Sequence, residues 1–210
     1  MNADGLDLRL DAPATHRNRE PLFDVLSAHL PETGRLLEIA AGTGQHAVYF
    51  AEKFSQWRWQ PTDPDARSRR SIDAWIAHSG LQNVAPALEL DVHRTPWPVE
   101  ADDQAPSFDA VLCVNMIHIS PWSACEALMR GAGRLLKNDG LLITYGPYNV
   151  DGRFTAESNA RFDASLRSRD PCWGIRDIQA VTDEAAKNGM ARVALVPMPA
   201  NNFTVVFRKA

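Results

Sequence analysis

Cysteine is scarce: the 210 residues hold three, Cys113, Cys125 and Cys172, an odd number with no two closer than twelve positions. That spacing excludes a disulfide framework and any CxxC metal or redox motif, and it points to a reducing compartment. The six histidines (16, 29, 46, 78, 93 and 118) show neither HxH nor HExxH spacing, so no metal site is expected. A basic excess is missing too. Lys and Arg number 22 against 26 Asp and Glu, a net charge of −4, which argues against a nucleic-acid partner and its concentrated basic face. The one dense basic run, Arg67, Arg69 and Arg70, reads as the solvated side of a helix. No apolar run approaches membrane-spanning length, and the opening MNADGLDLRLDAPATHRNRE has acids where a secretion signal needs a basic and then an apolar stretch. The expectation is a cytoplasmic protein with no membrane partner. Oligomeric state is not legible.

What is present is an ordinary globular composition, 45% hydrophobic and 23% charged, at a length that suits one domain over residues 1–210. Short apolar runs alternate with helical periodicity, the pattern of an α/β fold. PLFDVLSAHL (21–30) places leucines at four-residue steps behind Pro21, a good first-turn residue. Strands are expected near 35–40, 57–60, 84–90, 108–116 and 141–146. Helices are expected at 44–54, 65–79 before Gly80, and 121–136 with Ser120 as N-cap. The loop 94–107 holds three prolines, and an insertion at 147–176, with one helix near 156–168, is long enough to act as a lid. After a helix at 177–188, the runs 191–198 and 203–209 are joined by PANN, too short for a parallel crossover, so they form an antiparallel hairpin. The expected fold class is a Rossmann-like α/β sheet of seven strands, mostly parallel, closed by that hairpin and covered by helices on both faces, with residues 1–30 as an N-terminal arm and helix.

Chemistry enters at LLEIAAGTGQHA (36–47). Gly42 and Gly44 let the chain turn sharply from strand to helix and let a ligand approach the backbone. Gly42-x-Gly44-x-x-Ala47 also satisfies the loose dinucleotide fingerprint, so a nicotinamide cofactor stays open on this piece alone. Glu38, on the strand before the turn, repels a pyrophosphate but suits a ligand with an ammonium and a sulfonium. Asp63, twenty-one residues after Gly42, stands where a carboxylate accepts both hydroxyls of a ribose. Asp91 ends the third expected strand. Each of these acids has a plainer reading as a cap of a turn or helix.

The ladder Glu38, Gly42-x-Gly44, Asp63, Asp91 and Asn115 resembles the class I S-adenosylmethionine-dependent methyltransferases. The strings HRNREP (16–21), LLEIAAGTGQHAVYFA (36–51), WQPTDPD (59–65), CVNMIHISP (113–121), LLITYGPY (141–148), NARFDASLRSRDPCWGIRD (159–177) and MPANN (198–202) are similar to the methyltransferase-like 26 family, over residues 16–210. The resemblance implies S-adenosyl-L-methionine as cofactor. It places Glu38 near the methionine amino group and Gly42, Thr43 and Gly44 along the cofactor, with Asp63 at the ribose, Asp91 and Val92 at the adenine, and Asn115 and Met116 on the methionine side. Arg17 and Asn18 would fold over the site, Arg17 able to fork onto a carboxylate, and His46 would line the cofactor edge.

For the methyl acceptor, His118 is the best-placed general base. Tyr145 and Tyr148 flank Gly146-Pro147 at the carboxyl end of a strand, where ligands collect in open parallel sheets. Their rings suit a cationic methyl group or a flat acceptor, and core packing explains them equally well. His118 has a plain alternative as a satisfied neutral histidine, and Asn201 and Asn202 suit a hairpin turn. The run after the fourth strand, NMIH, lacks the Asn/Asp-Pro-Pro-aromatic string of amino-methylating nucleobase enzymes. The expected activity is therefore methylation of a small-molecule substrate, such as a planar heterocycle or other secondary metabolite. The alternatives are a cofactor-binding protein without turnover and an NAD(P)-dependent oxidoreductase.

Overall fold

The computed structural model describes residues 7–100 and 108–210. The expectations for residues 1–6 and for the second half of the loop 94–107 lie outside the described residues. In chain order the elements are α1 (Pro13–His29), β1 (Gly34–Ile39), α2 (Gln45–Lys53), β2 (Trp57–Pro61), α3 (Ala66–Ser79), β3 (Phe108–Val114), α4 (Trp122–Leu135), β4 (Leu136–Gly146), β5 (Tyr148–Asn149), α5 (Glu157–Arg169), β6 (Arg176–Asp177), α6 (Ile178–Lys187), β7 (Met190–Met198) and β8 (Asn202–Lys209).

Six strands make the main sheet in the order β2-β1-β3-β4-β8-β7, and β5 and β6 pair separately. β1 pairs in parallel with β2 and β3, and β3 with β4, while β8 runs antiparallel to both β4 and β7. The apolar run of β3 sits in the interior, where a strand covered on both faces needs hydrophobic side chains at nearly every position. One face packs Leu37, Ile39, Val111 and Leu142 under α4 and α6. The other packs Leu36, Ala110, Leu112, Ile143 and Val206 under α1 and α2. Each fully buried Val, Leu or Ile among them contributes about 1.5–3 kcal/mol.

The fold class is as expected, with one strand fewer. Residues 84–90 run beside β2 but make only two isolated parallel bridges, Trp59 to Val84 and Thr62 to Leu88. Pro86 has no N–H to donate, and the next N–H, on Ala87, bonds the Asp73 carboxylate at 2.8 Å instead of the ladder. α1 begins at Pro13 rather than Pro21, which lies inside the helix. Its first two turns show no apolar period because the residues they bury, Thr15 and Asn18, are polar. Ser120 does not cap α4; its hydroxyl donates to the Met116 carbonyl at 2.7 Å. Arg69 is not free in solvent either, since its guanidinium donates to the carbonyls of Asp63 and Pro64 and to Glu89. No helix among the described residues is long and apolar enough to cross a membrane.

Candidate functional site

The turn from β1 into α2 stands at the carboxyl edge of the sheet, and its backbone is unusual. Ala40, Gly42 and Gly44 all have positive φ, at 54°, 60° and 89°. The two glycines serve different ends. A Cβ on Gly44 would lie 2.6 Å from the Ile72 Cα, so this position lets α3 pack tightly on the turn. A Cβ on Gly42 would meet nothing within 4 Å, so this position faces an open crevice. No side chain caps α2 at Gly44, which leaves its first N–H groups directed outward at the positive end of the helix dipole.

Asp63 braces the turn from β2. One carboxylate oxygen accepts from the Gly42 N–H at 2.9 Å and the other from the Asp65 N–H at 2.9 Å. Burial pushes its carboxyl above the ordinary value, against the pull of these two bonds. Each oxygen keeps a second lone pair for a further donor. Glu38 is buried deeper, at 1% exposure, and accepts from the Trp59 indole N–H at 2.6 Å. Burial raises its carboxyl to about 8, and the nearby Asp63 charge adds to the effect. Trp59 is a partner that sequence reasoning missed; it fell in the strand expected at 57–60, which gave no sign of a carboxylate beside it.

Across β3 the chemistry changes to neutral groups. Asn115 adopts φ 66° and its N–H bonds the Tyr145 carbonyl at 2.8 Å, joining the ends of β3 and β4. Met116 and His118 follow in a short 3-10 turn. The His118 ring packs on Gly146, where a Cβ would fall 2.9 Å from its Nδ1. Phe162 of α5 meets it edge-on at 5.6 Å between ring centroids. The ring is 5% exposed, makes no hydrogen bond among the described residues, and is pushed by burial down to about 4, so it is a neutral imidazole at pH 7. The insertion touches this segment again through the Gly174 N–H, which bonds the His118 carbonyl at 3.0 Å.

α1 reaches the same edge of the sheet through Asn18. Asn18 accepts from His46 Nε2 at 2.8 Å, linking α1 to α2, and its side chain lies near that of Tyr145 on β4. The His46 ring stacks on Phe50 with centroids 5.4 Å apart, and burial lowers it too to about 4. Burial pushes the Tyr145 phenol above its ordinary value, with the nearby Arg17 charge acting against that rise. Thus Arg17, Asn18, Glu38, Gly42, Thr43, Gly44, His46, Asp63, Asn115, Met116, His118 and Tyr145 gather on or near one edge of the sheet.

One expected residue, Tyr148, lies in the core, and Asp91 has a local partner. Tyr148 is 1% exposed within the core under α4, and its hydroxyl donates to Thr144 Oγ1 at 2.9 Å. Asp91 accepts from the His93 N–H at 3.0 Å and meets the His93 ring at 3.1 Å; the backbone bond chiefly holds its carboxyl below the ordinary range. Its neighbour Val92 is buried. Asn201 belongs to the tight turn before β8, where both it and Ala200 have positive φ, and its carbonyl accepts from Asn159 Nδ2 at 3.0 Å.

Residues 9–209 match the family described as "Protein of unknown function (DUF938)". Among solved structures, the chain is similar to an O-methyltransferase family protein from Burkholderia thailandensis, at 16% identity and TM-score 0.77 over 94% of this chain and 57% of that one. It is similar to CalO1, a methyltransferase in calicheamicin biosynthesis solved in an SAH-bound form, at 13% identity and TM-score 0.70 over 92% and 54%. YcgJ from Bacillus subtilis matches at 16% identity and TM-score 0.70 over 92% and 98%. The chain therefore spans little more than half the length of the first two. The fold is that of these methyltransferases.

Proposed function

This chain belongs to the DUF938 family, and we propose that it transfers a methyl group from S-adenosyl-L-methionine to a small-molecule acceptor. The observation that carries this reading is the pair of buried carboxylates, Glu38 and Asp63, beside a glycine turn whose Gly42 faces open space. Acids in that position suit a nucleoside bearing ammonium and sulfonium charges and disfavour a pyrophosphate. The likeness to the methyltransferase-like 26 family belongs to the same proposal.

The cofactor supplies an electrophilic methyl group. The remaining lone pairs of Asp63 accept the ribose hydroxyls, and Glu38, on ionising, balances the ammonium. The N–H groups in the first turn of α2, together with Arg17, suit the methionine carboxylate. Val92 offers an apolar wall for the adenine, and Met116 and Asn115 border the sulfonium side. Most of the acceleration in such a displacement comes from holding the acceptor atom in line in a dry pocket, worth about 7–11 kcal/mol. His118, already neutral and without a partner, takes the proton from a hydroxyl or ring N–H as it is methylated. Tyr145 orients the acceptor, and Phe162, from the insertion, covers a flat one.

Incubating the full chain with methyl-labelled cofactor and a host metabolite extract, followed by mass analysis, tests this reading. A small molecule that gains one labelled methyl group, and fails to do so with Asp63→Ala, is the expected result. Tight S-adenosylhomocysteine binding with no methylated product would favour a cofactor-binding protein without turnover.

A further inference from the structure

Residues 9–12 lie as a strap over α2 and α3, held by side chains distant in sequence. The Leu10 N–H donates to Ser71 Oγ at 2.8 Å, and the Leu10 carbonyl accepts from the Trp75 indole N–H at 2.9 Å. The Ala12 N–H donates to Gln45 Oε1 at 2.7 Å, and Gln45 Nε2 donates to Asp11 at 2.8 Å. The Arg9 guanidinium lies over the Trp75 ring, 4.9 Å from its centroid.

The same two buried side chains, Gln45 and Ser71, also reach the other way. Ser71, with no exposed surface, donates its hydroxyl to the Thr43 carbonyl at 2.8 Å. Gln45, 6% exposed, accepts from the Thr43 hydroxyl at 3.0 Å. The carbonyl and the hydroxyl of the residue between Gly42 and Gly44 are thus held by groups that also hold the strap. Two positive-φ neighbours leave Thr43 little stiffness of its own, so these contacts fix how its peptide faces the crevice. The line from Leu10 N–H through the Ser71 hydroxyl to the Thr43 carbonyl is a hydrogen-bond chain whose members polarise one another. Core packing does not account for it, since the α3 side chain that fills the interior here is Ile72.

We propose that residues 9–12 are a strap coupled to the cofactor turn, with Gln45 and Ser71 as positioning residues that hold Thr43 in its binding conformation while the strap is docked. This rests on the reading of the crevice as the cofactor site. The coupling is reciprocal: the docked strap tightens cofactor binding by the same factor by which bound cofactor tightens docking.

The test measures amide hydrogen exchange of the full chain with and without S-adenosylhomocysteine, and calorimetric affinity for it in Gln45→Ala, Ser71→Ala and Trp75→Phe. Trp75 is decisive because its indole N–H bonds the strap and not the turn. Expected are slower exchange at Leu10 and Ala12 on binding, affinity weakened roughly tenfold in Gln45→Ala and about threefold in Trp75→Phe, and thermal midpoints within a few degrees of the parent. Wild-type binding with unchanged strap exchange and a Trp75→Phe variant of parental affinity would overturn the strap alone. So would a Gln45→Ala variant that loses thermal stability but keeps its affinity. Wild-type protein that does not bind S-adenosylhomocysteine would overturn the reading of the crevice, and the strap proposal with it.

Discussion

The turn joining β1 to α2 and the ledge formed by the ends of β3 and β4 share one crevice but are made of different materials. On the first, two carboxylates sit in apolar surroundings, Glu38 against Trp59 and Asp63 against backbone N–H groups. On the second, His118, Tyr145 and Asn115 are neutral, with the Arg176 charge near His118 and the Arg17 charge near Tyr145. Buried charge without a fixed counter-charge is expensive. Burial therefore keeps Glu38 protonated in the free protein; on the proposed reading the cationic cofactor offsets Asp63 and an ionised Glu38 in the first region, and the second holds the neutral reacting group.

The sharpest way to break this division is through the two glycines. Gly44→Ala forces a Cβ into the Ile72 backbone at a φ of 89°, and a loss of about 3 kcal/mol or more in denaturant-measured stability is expected. Gly42→Ala meets open space and should lose only about 1–2 kcal/mol, from its left-handed φ, yet weaken S-adenosylhomocysteine binding roughly tenfold. If both variants lose stability equally and Gly42→Ala binds normally, Gly42 does not face the ligand.

The tyrosines sharpen the comparison next. Tyr148→Phe breaks the bond to Thr144 in the core and should reduce stability by about 1 kcal/mol with the rate of methyl transfer unchanged. Tyr145→Phe should do the opposite, leaving the denaturation midpoint close to the parent while slowing transfer. Equal effects on transfer would remove the separation between core and crevice.

Acidity offers a smaller effect with a definite sign. Burial raises Glu38 to about 8, so in the free protein it is mostly protonated at pH 7. A bound ammonium favours the carboxylate, so binding releases a proton and affinity should rise from about pH 6 to about pH 8, then level off. Folding shows the reverse trend. A carboxyl whose folded value lies above its unfolded one favours the native state most below about 4.5, and that contribution is lost as pH rises through about 8. Glu38→Gln should abolish the slope in affinity. A slope that persists in this variant would assign it to another group.

The first region was legible because its information is local: a strand, two glycines and an acid at the end of the next strand lie within a short stretch. The parallel core, the hairpin and the Gly80 cap were readable for the same reason. What escaped reading depends on distance in sequence. Asn18 meets His46 and Tyr145, and Gln45 meets the strap, through contacts between elements that no periodicity encodes. The polar first turns of α1 hid a helix because burial there serves the crevice rather than the core. Tyr148 and Tyr145 stand three residues apart around Gly146-Pro147, and only the path of the chain through that corner sends one inward to Thr144 and the other to Asn18.

Calorimetric titration of the full chain with S-adenosylhomocysteine near pH 8 bears most directly on the central claim. The account predicts saturable one-to-one binding, weakened roughly tenfold or more by Asp63→Ala, and no heat with NAD or NADP. Tight binding of a nicotinamide dinucleotide with none of the sulfur nucleoside would contradict it.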